Sequence, residues 1–321
     1  MKEIINRFKN LKSLVIGDAM VDTYLLGEVT RISPEAPVPV VTLKERENRL
    51  GGAGNVVMNI KSLGAKATLC AVTGNDPDAV LLKELMKKND LDTSFVFMDE
   101  SRITSTKSRI ISQGQHLMRI DNEVNTEISE IIQKKIFSAI KDQIKEYDVI
   151  IFQDYDKGML TAGFIKSITD LANQNHIPVA VDPKRNNFHS YNNVTLFKPN
   201  LKELQDGLNV QINKNDLSQI DSLIEKLRKM NNMKLAMITL SDKGIYINDG
   251  SIGKLIPTPA KNIIDVSGAG DTVISIASLC LATKVPLDQT ALLSNIAAGI
   301  VCEQVGVVPV DKNILLQRLN Y

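Results

Sequence analysis

Tryptophan is absent from this chain, and aromatic residues make up only 4% of it. So few flat rings cannot supply a platform on which successive bases stack. Charge of one sign is not in excess either: 38 Lys and Arg stand against 37 Asp and Glu, a net charge of +1. With no global field there is nothing to draw in nucleic acid or an anionic membrane. The only cysteines are Cys70, Cys280 and Cys302, far apart and without a CxxC pair. Three scattered thiols fit buried free cysteines in a reducing cytosol and exclude a disulfide framework. His116, His176 and His189 lack metal-ligand spacing, which argues against a structural zinc site. No apolar run reaches the roughly 18 residues a membrane helix needs. The opening MKEIINRFKNLKSLVIGD scatters charge where a secretory leader would have an apolar core. A soluble, cytoplasmic protein is expected.

What is present is enough for a full core, with 43% hydrophobic residues in 321. Short β-rich runs alternate with helical patterns, the mark of a parallel sheet with crossover helices. The runs predict strands over Ser13–Ile16, Ala67–Val72, Val149–Gln153, Val179–Asp182, Thr195–Lys198 and Leu235–Thr239. Helices are predicted over Asn55–Leu63, Ala79–Asn89, Ser129–Glu146, Ala162–Asn175 and Asp216–Asn231. Asp18, Asp154, Asp182 and Asn200 each fall just past a strand. In open α/β sheets ligands bind outside the carboxyl ends of the strands, so these residues share the rim of a candidate site. Two regions, about 24–44 and 95–120, read as β without helices, and Pro34, Pro37 and Pro39 suit edges or turns. They fit either a small β lid over the rim or an ordinary surface hairpin. Repeats and low-complexity linkers are missing, so one domain over 1–321 with a lid is the expected organisation.

The most informative stretch is DVSGAGDT, residues 265–272. Two glycines bracket an alanine just before an apolar run, Val273 to Val285, of helical length. Glycines let several N–H groups point at one spot, and a helix N-terminus adds the positive end of its dipole. Gly268, Ala269 and Gly270 thus form a candidate anion cradle. Asp271 would be repelled by a bound phosphate, so its presence suggests chemistry: a base that takes a proton from an attacking hydroxyl. A helix cap is the alternative reading of the same aspartate.

Gly51-Gly52-Ala53-Gly54-Asn55 opens a second helix, and Gly64 and Gly74 follow. Together with GAGD these residues resemble the ribokinase-like sugar kinases, or phosphofructokinase B family, from about residue 12 to 311. The fold this implies is α/β, with a mostly parallel central sheet, helices on both faces and a small β-sheet lid. Further stretches are GDAMVDTY (17–24), TRISPEAPVPVV (30–41), GGAGNVVMNIKSLGA (51–65), TSTKSRI (104–110), QDYDKG (153–158), DPK (182–184), KPNLKE (198–203) and DVSGAGDTVI (265–274). These are similar to the branch that phosphorylates O1 of D-glycero-β-D-manno-heptose 7-phosphate on the route to ADP-heptose. Val57 and Ile276 stand where the pattern prefers small residues, and Gln153 and Asp156 where it has Ser and Ala. Some relatives carry a nucleotidyltransferase domain after the kinase; this sequence stops at Tyr321 without room for one, so either a stand-alone kinase or the excised kinase half of a longer protein is expected.

The resemblance implies roles. Asp271 is the base, and the amides of Gly268, Ala269 and Gly270 hold the charge on the transferred group. A carboxylate near its ordinary pKa of about 4 would suffice, because the proton leaves late. Asp22, Gly52 and Asn55 match sugar-contacting positions, although Asp22 and Asn55 also read as caps. Asp154 lies on the same rim. Lys107, Arg109, Arg119, Lys157 and Lys184, with Arg31, are candidates for the sugar's phosphate, or else are solvated surface charges. For ATP the matching positions are Asn200, Leu201, Lys202 and Glu203, then Thr239, Ser241 and Gly244, with Asn295 and Ala298 toward adenine or ribose. Glu203 would organise Mg²⁺ through water; the same PNxxE also reads as a plain helix start. Asp265 and Val266 stand where some relatives hold a monovalent cation. Exposed edges of the lid suggest a homodimer.

Other classes fit less well. As a dinucleotide fingerprint, Gly268-x-Gly270 fails at Val273, and Asp288 lies beyond a helix and Pro286 instead of on a second strand. A catalytically silent module would not need Asp271 and the NxxE pair together.

Overall fold

The computed structural model describes residues 1–251, 253–259 and 262–319. Ten helices and thirteen strands occur among them. The strands are β1 (Lys12–Gly17), β2 (Ala19–Ile32), β3 (Pro39–Gly52), β4 (Lys66–Thr73), β5 (Val96–Met98), β6 (Thr106–Ser112), β7 (Gln115–Asn122), β8 (Val149–Gln153), β9 (Val179–Asp182), β10 (Leu196–Phe197), β11 (Leu235–Thr239), β12 (Ile245–Asn248) and β13 (Lys254–Ile256). The helices are α1 (Lys2–Arg7), α2 (Ala53–Ser62), α3 (Pro77–Lys88), α4 (Glu130–Gln143), α5 (Ala162–Gln174), α6 (Leu201–Leu208), α7 (Leu217–Asn231), α8 (Ala269–Ala282), α9 (Leu287–Cys302) and α10 (Lys312–Arg318).

Nine strands form one sheet in the order β13-β12-β11-β10-β9-β8-β1-β4-β5. From β11 to β5 neighbours run parallel, while β12 and β13 turn back antiparallel at one edge. The central strands are buried without alternation, as in VIIFQ of β8 and VAVD of β9, which is what a parallel sheet covered by helices on both faces requires. Across it, α2 packs on β1 and β4, α8 on β8 and β9, and α9 on β12, with α2, α8 and α9 side by side. Helix starts follow side-chain caps: Asp76 accepts from Ala79 N ahead of Pro77, and Ser129, Thr161 and Asp216 cap α4, α5 and α7 in the same way.

The remaining four strands form a second sheet, ordered β3-β2-β6-β7. It grows directly out of the rim. β2 begins one residue past Asp18, and β3 ends at Gly52, where Ala53 N donates to Asp18 O at 2.9 Å. Its strands reach further into the chain than 24–44 suggested, because β2 and β3 are both 14 residues long. The region 95–120 is divided between the sheets: Val96–Met98 pairs with β4 at the edge of the large one, and β6 and β7 belong to the small one. A three-residue edge strand has too short a pattern to announce which sheet it joins.

The β8 strand tests the central packing. Ile151 is fully buried and paired on both sides, to Val15 of β1 and Ala180 of β9. Replacing Ile151 with Ala is expected to lower the unfolding free energy by about 3–4 kcal/mol, seen as a lower urea midpoint with an unchanged slope.

Candidate active site

The sequence GAGD becomes the first turn of α8. Gly268 is its N-cap with φ +79, a left-handed conformation that favours glycine, and an added Cβ would lie 3.0 Å from Asn55 Nδ2. Asp271, the third helical residue, is 4% exposed and points into a lattice of donors. Tyr155 Oη donates to its Oδ1 at 2.8 Å, Gln153 Nε2 to the same oxygen at 3.0 Å, and Asn55 Nδ2 to Oδ2 at 2.7 Å. Burial pushes the carboxyl up to about 6, and Asp182 adds to the rise, against the donors from Asn55 and Tyr155. This differs from the ordinary value expected from sequence, because the pattern of residues does not reveal full desolvation. One of the three cradle amides is already engaged: Ala269 N donates to Val266 O at 3.2 Å.

Asp271 lies on the wall of a cavity of about 680 Å³. All nine residues matched to the nucleotide line it: Asn200, Leu201, Lys202, Glu203, Thr239, Ser241, Gly244, Asn295 and Ala298. Several have local duties as well. Asn200 and Glu203 form a capping box for α6, each side chain bonding the other's backbone N–H at 2.8 Å, and Glu203 Oε1 pairs with Lys184. The plain helix-start reading of PNxxE is therefore present in the structure, with Oε2 of Glu203 taken by the Asn200 N–H and Oε1 by Lys184 on the cavity wall. Ser241 has φ +54 and Gly244 φ +99, so this loop folds back tightly. Asn295 Nδ2 is bound to Ile256 O at 2.8 Å, tying α9 to β13.

The basic residues divide into two groups. Lys107, Arg109 and Arg119 come together on one face of the small sheet, where Arg109 and Arg119 sit opposite each other in register. Lys157 reaches the same group from the turn after β8: Glu123 bridges Lys107 at 2.9 Å and Lys157 at 2.7 Å, and Asp121 binds Lys107 and Arg119, each at 2.8 Å. Arg109 pairs with the buried carboxylate of Asp22, which fits only because Gly51 has no side chain. Lys184 stands apart from this cluster. It lines the large cavity with Asp182 and Lys198, the last two forming a buried ion pair at 3.0 Å. Arg31 is exposed toward the far end of β2.

Two expected sugar contacts have other work. Asp154 is buried and spends its oxygens on Tyr191 Oη at 2.6 Å, Asn187 Nδ2 at 3.1 Å and Asp156 N at 2.8 Å. It is a strut for the turn, because a carboxylate just past a strand can equally fold inward. Asn55 gives its amide to Asp271, and Gly52, with φ +58, caps α2 in its place. Gln153, Tyr155 and Lys198 were given no role from sequence, and Asp182 was noted only as a rim residue. Their traces were position at strand ends and membership of the stretches QDYDKG, DPK and KPNLKE. Asp18, noted on that rim, pins the turn after β8 through the N–H groups of Tyr155, Lys157 and Met159 at 2.9, 3.1 and 3.3 Å.

Comparison with known proteins agrees with this geometry. The profile described as pfkB family carbohydrate kinase matches residues 10–313, and the chain belongs to that family. It is 39% identical to the "Bifunctional protein HldE" of Sulfurimonas denitrificans over 93% of this chain and 62% of the relative. For the protein of the same name from Aliarcobacter butzleri the figures are 40%, 91% and 61%. The chain thus spans about three fifths of the length of the curated relatives it matches. In fold it is similar to Escherichia coli phosphofructokinase-2 solved with potassium, at TM-score 0.78, 16% identity and coverage of 96% and 97% of the two chains. Arabidopsis thaliana ribokinase, solved with ribose and ATP, gives TM-score 0.72, 17% identity and coverage of 97% and 99%. The protein is a carbohydrate kinase by family, built on the ribokinase-like α/β fold. No described helix is long and apolar enough to cross a membrane.

The buried acids set a pH dependence. Asp18, like Asp271, is pushed up to about 6, first by burial and then by Asp154, against its three N–H donors. The folded protein therefore holds these protons more tightly than the unfolded chain. The resulting stability is complete below the ordinary carboxylate value and is lost as pH rises through 6. Urea titrations should show unfolding free energy falling by about 2–3 kcal/mol between pH 5 and 7.5; a flat or rising profile would contradict this.

Proposed function

We propose that this chain transfers the γ-phosphoryl group of ATP to O1 of D-glycero-β-D-manno-heptose 7-phosphate, giving the 1,7-bisphosphate on the route to ADP-heptose. The observation that carries the reading is Asp271: a buried carboxylate at a helix N-terminus, on the wall of a cavity, with a cationic cluster on the neighbouring sheet. A group with a pKa of about 6 is mostly ionised at neutral pH and is still basic enough to accept a late proton. The hydroxyl oxygen attacks the γ-phosphorus, its proton passes to Asp271, and ADP departs. Helix-start N–H groups at Gly268 and Gly270 stabilise the charge on the group in flight.

The choice of a sugar phosphate rests on two supports. One is the likeness to HldE proteins at 39–40% identity. The other is the convergence of Lys107, Arg109, Arg119 and Lys157, whose partners Asp22, Asp121 and Glu123 hold these cations in place until a phosphate competes for them. Lys184 belongs with the ATP phosphates in this reading. The fold alone does not fix the sugar, since both a ribokinase and a phosphofructokinase share it.

For Mg²⁺ the donors present are the right type. Glu203 and Asp182 face the cavity, and Asp182 Oδ1 is buried without a hydrogen-bond partner. Among the described residues no cluster of three ligating side chains exists, so the ion would be held largely by waters and nucleotide phosphates, with Glu203 and Asp182 steering it. When bound, it neutralises phosphate charge. A monovalent cation beside Asp265 and Val266 belongs to the same proposal, on the strength of the potassium-bound relative. The small sheet acts as a lid, and its exposed Met118 and Ile120, with Leu43, support pairing with a second copy. A cytoplasmic setting suits an ATP-using enzyme with three free cysteines.

Turnover of Asp271→Asn should drop by at least about 10³-fold with the fold intact; a near-normal rate would remove the base. Lys157→Met should raise KM for the sugar phosphate roughly tenfold or more, and change KM for ATP less than about twofold. Equal effects on both substrates would remove Lys157 from the phosphate site.

A further inference from the structure

Two of the donors on Asp271 come from one short segment that the reaction described above leaves without a task. Gln153 ends β8, and Tyr155 follows in the turn pinned by Asp18. Gln153 also stands where the family resemblance anticipates serine, a side chain too short to span the same gap.

An ionised carboxylate offers roughly four acceptor positions, two on each oxygen. On Oδ1 of Asp271 both are filled, by Tyr155 Oη at 2.8 Å and Gln153 Nε2 at 3.0 Å. On Oδ2 one is filled, by Asn55 Nδ2 at 2.7 Å. One position remains, and it is on Oδ2. The charged groups facing Asp271 from the other elements are Asp182 of β9, which raises its pKa and also accepts from Gln153 Nε2 at 3.4 Å, and Lys184 just past β9, which lowers it. Tyr155 is itself fixed, with its backbone N–H on Asp18 and Lys184 Nζ lying 5.3 Å from its ring centroid. Burial and the neighbouring Asp271 hold its phenol well above the ordinary value, so it stays protonated and acts as the donor.

On the kinase reading above, we propose that Tyr155 and Gln153 are positioning residues for the base: they saturate Oδ1, so the acceptor sugar's hydroxyl proton goes to Oδ2. As that proton moves, the sugar oxygen forms its bond to the γ-phosphorus, and the bond from phosphorus to the ADP oxygen breaks with its electron pair leaving on ADP. The proton on Oδ2 passes to water when the products depart. Removing either donor opens a second acceptor position on Oδ1 and withdraws a hydrogen bond that favours the charged carboxylate.

The test is the pH profile of kcat/KM for the sugar phosphate in Tyr155→Phe and Gln153→Leu, each compared with wild type so that titration of the substrate phosphate cancels. The acid limb should move up by about 0.5–1 pH unit. A loss of up to about fivefold at pH 6 should then vanish above pH 8, with KM for ATP unchanged. An acid limb at the wild-type position, or an equal loss at every pH, in whichever variant keeps wild-type circular dichroism would overturn the proposal. Asp271→Asn assayed in parallel separates the two failures. If it is inactive while the limb stays put, only the positioning role falls; if it turns over normally, the base reading falls and takes this proposal with it.

Discussion

A carboxylate placed almost out of reach of water is the constraint around which this molecule is arranged. Asp271 at 4% exposure could not remain ionised without compensation, and three hydrogen-bond donors from two separate parts of the chain supply it. Each donor depends on a different piece of the fold. Asn55 is presented by α2, which must start at Gly52. Gln153 is the end of β8, and Tyr155 is held by Asp18 at the end of β1. The parallel order of β1, β8 and β9 brings those ends to one rim, and α8 lays its first turn across it. The fold and the charge state of one side chain are therefore two sides of one arrangement.

The same rim gives each of the two substrates of the proposed reaction a side to bind on. On one side the cavity runs from Asp271 past the α6 capping box to the loop around Ser241 and the face of α9. On the other, the small sheet rises from Asp18 and Gly52 and carries Asp22, Lys107 and Arg109 on a common face. Tyr24 locks this sheet to the segment after α9. Its hydroxyl accepts from Val307 N at 2.8 Å, and the guanidinium groups of Arg49 and Arg109 lie 4.6 and 5.3 Å from its ring centroid. The small sheet thus has a fixed seat beside the GAGD turn, with Asp265 bound to Gly306 N at 2.8 Å in the same segment.

Much of this was legible in the residues, and what was not has physical reasons. Unbroken apolar strands and side-chain caps located the large sheet and its helices to within a residue or two at most ends. The glycine pattern located the turn that carries Asp271. The edge strand β13 was invisible and β5, inside the region read as β, gave no sign of which sheet it joins, because three residues hold no period. Around the site, residue type indicated which side chains could bind an anion or a sugar, but not which already had partners. Asp154 and Asp22 are both acids near strand ends, yet one is a buried strut beneath Tyr191 and the other meets Arg109 on the small sheet. Lys157 and Lys184 both follow rim strands, and the fold sends them to different partners, Glu123 and Glu203. Gln153 and Tyr155 lie in QDYDKG, but their role as donors escaped notice because a donor to a buried carboxylate has no sequence signature; only the tertiary contact identifies it.

Substrate choice is the point at which geometry and likeness to relatives must agree. Release of ADP from ATP should be followed over a panel of sugars and sugar phosphates that includes D-glycero-β-D-manno-heptose 7-phosphate, with the product checked by phosphorus NMR. The expected result is fastest turnover on the heptose phosphate, with a new phosphate on O1 and little activity on the same sugar without its 7-phosphate. Fastest turnover on an unphosphorylated sugar would contradict the role given to the cationic cluster and, with it, the proposed reaction.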